Sequence, residues 1–201
     1  DPEPMPEYVE DTEPLDARRY KSYRIGDLKK MPKPKFLISP YLLENSFACL
    51  FGQPASYKSF LSLDWSLSLA HGIDWNNRAT EKSTVVYLAL EGQSGLLQRI
   101  DAWHNDNGLD PDDIDFICFI MPLSLADEAT EDSDMRGMIG EIEYQLKDGK
   151  PKLIVVDTLA RSFTGKDENS ATDMGIFVRN MDILKNKFNC SVLVVHHSGK
   201  D

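Results

Sequence analysis

The stretch FACLFGQPASYKSF, residues 47–60, decides the fold, because an apolar run leads into a short loop and then into a helix-like segment. Gly52 ends the apolar run, and the pair Lys58-Ser59 begins six residues later, as in the G-x-x-x-x-G-K-[ST] phosphate-binding loop. The backbone N–H groups of such a loop and the N-terminus of the following helix bind an anion. The lysine reaches the terminal phosphates, and the hydroxyl binds Mg²⁺. The stretch therefore predicts a nucleotide-phosphate site at the end of a strand.

One position departs from that pattern, because Tyr57 stands where the pattern has its second glycine. Glycine tolerates backbone angles that a Cβ atom penalises. Either the loop keeps ordinary angles here, or Tyr57 is held in a strained conformation at a cost of about 1–3 kcal/mol. The ring would then either pack against its surroundings or cover the nucleotide.

Four further apolar runs follow the first, and helix-like segments separate them. The five runs are 46–52, 83–92, 114–121, 152–159 and 190–197, and the segments between them are 58–71, 94–106, 133–148 and 169–188. Runs rich in Val, Ile, Leu and Phe are typical of strands buried on both faces. Gly72, Gly108 and Gly149 stand where the first three helices are expected to end. This alternation predicts an α/β fold, with a mostly parallel sheet flanked by helices.

Polar side chains close several of these apolar runs. Ligands of such sheets bind at the carboxyl ends of the strands. Glu91 closes the second run, and a carboxylate in that place can orient and polarise an attacking water. Asp157 closes the fourth run and would hold Mg²⁺ opposite the Ser59 hydroxyl. His196 and His197 close the fifth, and only one of them can face the γ-phosphate, because adjacent strand residues point to opposite faces.

The composition of the 201-residue chain limits the classes of function. The formal net charge of −11 argues against a protein coated in basic surface for duplex DNA, but not against nucleic acid held by a few loops. Residues 1–16 are acidic and residues 17–35 are basic, so we expect a linker or arm over 1–35 and a globular domain over 36–201. Cys49, Cys118 and Cys190 are far apart, which favours buried, reduced thiols and a cytoplasmic protein. No apolar run is long enough to span a membrane.

Four stretches together resemble the RepA-like branch of the RecA-type P-loop ATPases, which comprises hexameric replicative DNA helicases and their phage and plasmid relatives. They are FGQPASYKSFLSLDWSLSLAHG, VVYLALEGQSGLLQRI, LIVVDTLARSFTGKDENSATDMGIFVRNMD and VLVVHHSGKD. The resemblance spans residues 36–201 and implies a RecA-like core in which the five runs lie in the order 3-2-4-5-1. It also implies that Tyr57 is a tolerated variant of the loop.

The same resemblance implies roles for the candidate residues, with ATP and Mg²⁺ as cofactors. Catalysis would fall to Lys58, Glu91, His196 and His197, and Mg²⁺ to Ser59 and Asp157. Arg99 matches an arginine of the family's motifs, against the alternative of a salt-bridged surface residue. The nucleotide would contact Gly52, Gln53, Pro54, Ala55, Ser56, Tyr57, Lys58, Ser59, Phe60 and Arg99.

The function implied is the ATPase core of a replicative helicase, a ring-shaped homo-oligomer that moves along single-stranded DNA. Arg161 and Lys166, in the loop after Asp157, are the candidate DNA contacts. The family domain continues past the fifth strand with a second DNA-contacting loop and an arginine finger, so we expect the chain to lack the C-terminal part of the domain. Two alternatives stay open: a nucleotide-gated assembly or loading module that does not unwind DNA, and the ATPase domain of a primase–helicase.

Overall fold

The computed structural model describes residues 22–112, 114–147 and 149–197, and the chain divides into two units between Lys33 and Pro34. In the first unit, α1 (Ile25–Leu28) is a single turn, and the backbone N–H of Arg24 donates to Asp27 Oδ2. The acidic segment expected at 1–16 and the first five residues of the basic segment lie outside the described residues.

The second unit alternates strands and helices along most of its length. After the antiparallel pair β1 (Phe36–Ile38) and β2 (Leu42–Leu43) come β3 (Phe47–Gly52), α2 (Lys58–His71), β4 (Val85–Ala89), α3 (Leu96–Asn107), β5 (Phe116–Phe119), α4 (Asp134–Leu146), β6 (Leu153–Asp157), α5 (Ala171–Phe188) and β7 (Ser191–His197). In the described part of the chain, none of the helices has both the length and the apolar character that crossing a membrane requires.

Strands β3 to β7 form one parallel sheet in the order β3-β7-β6-β4-β5. Read from the other edge and numbered by the five apolar runs, this is the order 3-2-4-5-1 expected of a RecA-like core, so the predicted fold is confirmed. In this order β6 is the central strand, β7 and β4 are its neighbours, and β3 and β5 are the two edge strands. Because the strands are parallel, the carboxyl ends of β3, β7, β6 and β4, which precede the candidate site residues, lie along one edge of the sheet.

Alternate residues of the central strands pack into two separate cores, as period-two geometry requires. One core joins the sheet to α2 and α3, and its strand residues include Val85, Tyr87, Ala89, Leu153, Val155, Leu193 and Val195. The other joins the sheet to α4 and α5, and its strand residues include Val86, Leu88, Ile154, Val156, Val192 and Val194. Every residue of β4 and β6 is buried, so the expectation of strands buried on both faces is confirmed there.

The two edge strands behave differently, and they correct the expectation of buried thiols. Cys49 in β3 and Cys118 in β5 are exposed, whereas Cys190 is buried. Residues of β3 alternate between exposed and half-buried, because an edge strand is covered less completely than a central one. Burial raises the pKa of the Cys190 thiol to about 12. The expectation therefore holds only for the cysteine that precedes a central strand.

Two of the three predicted glycine caps are present. Gly72 (φ 72°) and Gly108 (φ 65°) follow α2 and α3 in the left-handed conformation. The prediction for Gly149 is wrong, because α4 ends at Leu146 and Lys147 is its C-cap, with φ 52° and an N–H that donates to Glu143 O. Lys147 adopts the positive φ of a helix C-cap although it is not a glycine. Helix α4 therefore ends before the chain reaches Gly149.

Candidate functional site

The loop between β3 and α2 has the backbone of an anion-binding turn. Ala55 and Tyr57 both adopt the left-handed conformation, with φ near 60°, and Tyr57 is the N-cap of α2. The loop therefore does not keep ordinary angles at Tyr57, which is the strained alternative and costs about 1–2 kcal/mol. Left-handed residues in such a turn direct backbone N–H groups into one concavity.

The N-terminus of α2 opens into the same concavity. Its first hydrogen bond joins Leu61 N to Tyr57 O, so the N–H groups of residues 58–60 precede the helical ladder. These donors and the positive end of the helix dipole together attract an anion. The backbone of the loop is thus suited to phosphate before any side chain is considered.

Lys58 lies across this loop and is almost completely buried. Its Nζ donates to Gly52 O at 2.9 Å, to Gln53 O at 2.7 Å and to Ser56 Oγ at 3.3 Å. An ammonium group has three donors, and all three are directed at the loop. The carbonyl contacts are ones that a phosphate oxygen can replace, since a charged acceptor binds an ammonium more strongly than a neutral one.

Ser59 and Asp157 lie side by side, although 98 residues separate them in sequence. Ser59 Oγ donates to Asp157 Oδ1 at 2.9 Å, and Tyr87 OH donates to Asp157 Oδ2 at 2.7 Å. Burial raises the pKa of Asp157, and the hydrogen bonds from Tyr87 and Ser59 partly offset that rise. A hydroxyl and a carboxylate oxygen are the hard ligands that Mg²⁺ prefers, so this donor set fits the implied ion.

Among the described residues, no group of three or more His, Cys, Asp or Glu side chains could hold a metal by itself. This is compatible with magnesium in a nucleotide site, where one or two protein oxygens and the phosphates share the coordination.

Glu91 lies at the end of β4 beside the loop that follows β6. Thr158 Oγ1 donates to Glu91 Oε2 at 3.1 Å, and His197 Nε2 is 3.8 Å from the same oxygen. The backbone N–H groups of Leu90 and Glu91 donate to Asp157 O at 2.8 and 3.2 Å, which fixes the end of β4 against the end of β6. The carboxylate is thus held in place while its side chain stays 45% exposed to solvent.

The two histidines occupy different surroundings. His197 pairs in register with Gly52 and lines the cleft, whereas His196 pairs with Phe51 and is not among the residues that line it. Within the described part of the chain, Nδ1 of each ring is buried without a hydrogen-bond partner. Of the pair, His197 is therefore placed to meet a ligand.

Arg99, on α3, packs against the start of α2. Its guanidinium lies 4.9 Å from the centroid of the Phe60 ring, and among the described residues it has no carboxylate within ion-pair distance. A Cβ atom on Gly92, which has φ 66°, would be 3.4 Å from Arg99 Nη2. The surface salt bridge considered as the alternative is absent there, and the arginine instead covers the loop after β4.

These residues surround a cleft of about 340 Å³, a size within the range of small-molecule sites. Its walls are residues 55–60, Glu91, Gly92, Arg99 and His197. Gly52 and Gln53 contribute through their carbonyl bonds to Lys58, while Pro54 does not line the cleft. The two candidate DNA contacts lie outside it: Arg161 is exposed in a short 3-10 turn, and Lys166 pairs with Asp127 at 3.3 Å.

Sequence reasoning missed Tyr87, the buried partner of Asp157. The signal was available, because Tyr87 is the one hydroxyl-bearing residue in the run VVYLAL, and it shares the parity of Ala89, which pairs with Asp157. A tyrosine hydroxyl inside an aliphatic strand needs a polar partner, and the nearest strand end offers one.

Comparisons with known proteins identify a family for the chain. The model of a family described as AAA domain matches residues 14–201. No curated protein matches the chain. A solved structure titled "Crystal structure of the RadB recombinase" is similar in fold, with 21% identity and a TM-score of 0.48. The alignment covers 77% of this chain and 62% of the RadB chain, so the sequence spans less than two thirds of that structure.

Proposed function

The chain belongs to the AAA domain family, and from this premise we propose that it is the ATP-binding and ATP-hydrolysing core of a hexameric DNA helicase. In this proposal the protein works in replication, in the cytoplasm, as a ring of identical subunits. Hydrolysis of ATP drives its movement along single-stranded DNA. The likeness of four sequence stretches to RepA-like helicases supports this finer assignment within the family.

One observation carries the proposal: Lys58, Ser59, Glu91 and Asp157 come together at one edge of the sheet from three separate segments of the chain. Lys58 would exchange its carbonyl partners for phosphate oxygens. Ser59 and Asp157 would hold Mg²⁺, which when bound neutralises charge on the phosphates. Positioning and electrostatic stabilisation of this kind are the main contributions that a protein makes to phosphoryl transfer.

The catalytic carboxylate in the proposal is Glu91. Its Oε2 accepts from Thr158, which keeps the group pointing along the cleft, and its exposure leaves the other oxygen free to orient a water molecule. His197, 3.8 Å from Glu91, would donate a hydrogen bond to the terminal phosphate and so register its presence.

DNA contact is proposed for the loop that follows β6. Arg161 lies four residues after Asp157, so one short segment of the chain connects the proposed Mg²⁺ ligand to the proposed DNA contact. A movement of this segment at the Mg²⁺ site would therefore be passed to the DNA contact. Lys166 would have to exchange Asp127 for a DNA phosphate, and both partners are partly exposed, so the exchange costs little.

An assembly or loading module is the second candidate, and the formal net charge of −11 favours it, since an acidic protein gains little from the phosphate backbone. Such a module would bind ATP and oligomerise without unwinding DNA. Strand displacement by the full-length protein separates the two, because only a helicase releases the displaced strand. A primase–helicase would show both unwinding and primer synthesis in the full-length protein.

The experiment that tests the ATPase compares Lys58→Ala with Lys152→Ala, an exposed lysine before the amino end of β6. We expect Lys58→Ala to lower DNA-stimulated hydrolysis of the full-length protein on the order of 100-fold or more, as removal of one charge-stabilising donor does elsewhere. Lys152→Ala should hydrolyse ATP like the wild type. Undiminished hydrolysis by Lys58→Ala would falsify the proposal.

A further inference from the structure

We propose that Tyr87 is a positioning residue for the magnesium site: its hydroxyl holds the Asp157 carboxylate so that one oxygen, Oδ1, stays directed at Ser59. This inference rests on the proposed function, since it concerns the ion that accompanies the nucleotide. It assigns a role to a residue of the sheet interior that lies behind the cleft and cannot contact a nucleotide.

The register of the sheet puts Tyr87 within reach of Asp157. Ala89 of β4 pairs with Asp157 of β6, and Tyr87 lies two residues earlier on β4, on the same face. The ring is 1% exposed and stacks on Phe116 at a centroid distance of 6.1 Å. This packing fixes the orientation of the ring, and so it fixes the position of the hydroxyl group.

The hydroxyl belongs to a network of hydrogen bonds that joins β4, α2 and Asp157. Tyr87 OH is 2.7 Å from Asp157 Oδ2 and 3.0 Å from Ser62 Oγ. Because its single proton goes to the carboxylate, Ser62 donates to it, and this uses the one proton of the Ser62 hydroxyl. Ser62 Oγ then only lies near Ser59 O, at 3.1 Å, while Ser59 Oγ donates to Asp157 Oδ1. The Asp157 carboxylate is therefore held from β4 by Tyr87 and from α2 by Ser59, and Ser62 on α2 supports the tyrosine hydroxyl.

Each oxygen of the Asp157 carboxylate thus has a separate partner. With Oδ2 bound to Tyr87, rotation of the carboxylate is restricted and Oδ1 remains on the side of Ser59 and the cleft. Groups that orient a metal ligand from behind typically change metal affinity 10–100-fold when they are removed. A purely structural tyrosine would instead affect stability without changing the response to Mg²⁺.

The test is a Mg²⁺ titration of nucleotide binding by Tyr87→Phe, which removes the hydroxyl and keeps the ring. A fluorescent ATP analogue reports binding, first in EDTA and then at rising MgCl₂. We expect the Mg²⁺ concentration for half-maximal tightening to rise about 10-fold, while affinity in EDTA stays that of the wild type. Ser62→Ala should raise it less, since Ser62 acts one bond further away.

Ser66→Ala is the matched control, because it removes an equally buried hydroxyl from α2 that donates to Ser62 O and has no bond to Tyr87 or Asp157. Its Mg²⁺ response should equal that of the wild type. An unchanged Mg²⁺ midpoint in both Tyr87→Phe and Ser62→Ala overturns the inference and leaves the proposed function intact. A wild type that binds no nucleotide at any Mg²⁺ concentration overturns both.

Discussion

Tyr57 holds a backbone conformation that its own side chain opposes. Its φ of 61° and ψ of 20° are those that the phosphate-binding pattern normally gives to glycine. Tyr57 is 75% exposed, and among the described residues its one aromatic contact is with the edge of Phe60, at a centroid distance of 5.9 Å. Contacts of the ring therefore do little to offset the strain, and the loop is set by its surroundings rather than by this residue.

Substitutions at Tyr57 can separate the contribution of the backbone from that of the ring. Tyr57→Gly and Tyr57→Ala both remove the ring, but only glycine adopts the left-handed conformation freely. We expect Tyr57→Gly to be more stable than Tyr57→Ala by about 1 kcal/mol, because a Cβ in this region costs about 1–2 kcal/mol and glycine loses part of that gain to chain entropy. Urea denaturation of both variants measures the difference. Equal stabilities would show that the turn is not strained.

At the scale of the elements, the ends of α2 and α3 offer a matched pair of glycines. Both Gly72 and Gly108 have a positive φ, but a Cβ on Gly72 would be 2.7 Å from Lys82 N, whereas a Cβ on Gly108 has nothing within 4 Å. We expect Gly108→Ala to cost about 1 kcal/mol, from the backbone conformation alone. Gly72→Ala should cost about 1–3 kcal/mol more, because the Lys82 backbone must move.

Urea denaturation midpoints of the two variants decide this point. The comparison needs no assumption about glycine entropy, since both substitutions replace glycine by alanine at a C-cap. If Gly108→Ala were as costly as Gly72→Ala, crowding at Lys82 would not contribute.

The sequence predicted the elements that are governed by local pattern and missed those governed by their neighbours. Apolar runs located all five strands of the sheet, and the ends of those runs located Glu91 and Asp157. The exposure of Cys49 does not follow from its apolar run, because an edge strand and a central strand have the same local pattern. It follows from the strand order, which places the first run at an edge of the sheet. Tyr87 was missed for a different reason: a hydroxyl inside an apolar run indicated that a polar partner was needed, but the identity of that partner depends on the register of a strand 70 residues away.

The Tyr57 loop shows a second limit. From the sequence, ordinary and strained angles were both possible, because the choice depends on how α2 packs against the sheet. The helix fixes the place of Lys58 and Ser59, and the chain from Gly52 must reach it in five residues. The positive φ of Tyr57 therefore results from the short connection between β3 and α2, and not from the conformational preference of tyrosine.

At the scale of the whole molecule, an acidic protein is proposed to move along an acidic polymer. With a formal net charge of −11, long-range electrostatics oppose the encounter, so any affinity for DNA must come from a few short-range contacts. Both candidates, Arg161 and Lys166, are exposed in the loop after β6, but Lys166 is paired with Asp127, and among the described residues Arg161 has no such carboxylate partner. Each phosphate contact on single-stranded DNA contributes about −0.7 to the slope of log K against log salt concentration.

Arg161→Ala should therefore weaken binding of the full-length protein to a labelled single-stranded oligonucleotide and make that slope shallower by about 0.7 for each subunit that contacts DNA. The assay is fluorescence anisotropy at several KCl concentrations, with a non-hydrolysable ATP analogue present so that every variant is compared in one nucleotide state. Lys152→Ala makes the same change of charge at the opposite edge of the sheet, so it controls for the overall field of the protein. A general effect of net charge would shift both variants equally. A specific phosphate contact would change the slope for Arg161→Ala alone, and an unchanged slope would remove the loop after β6 from the proposed DNA path.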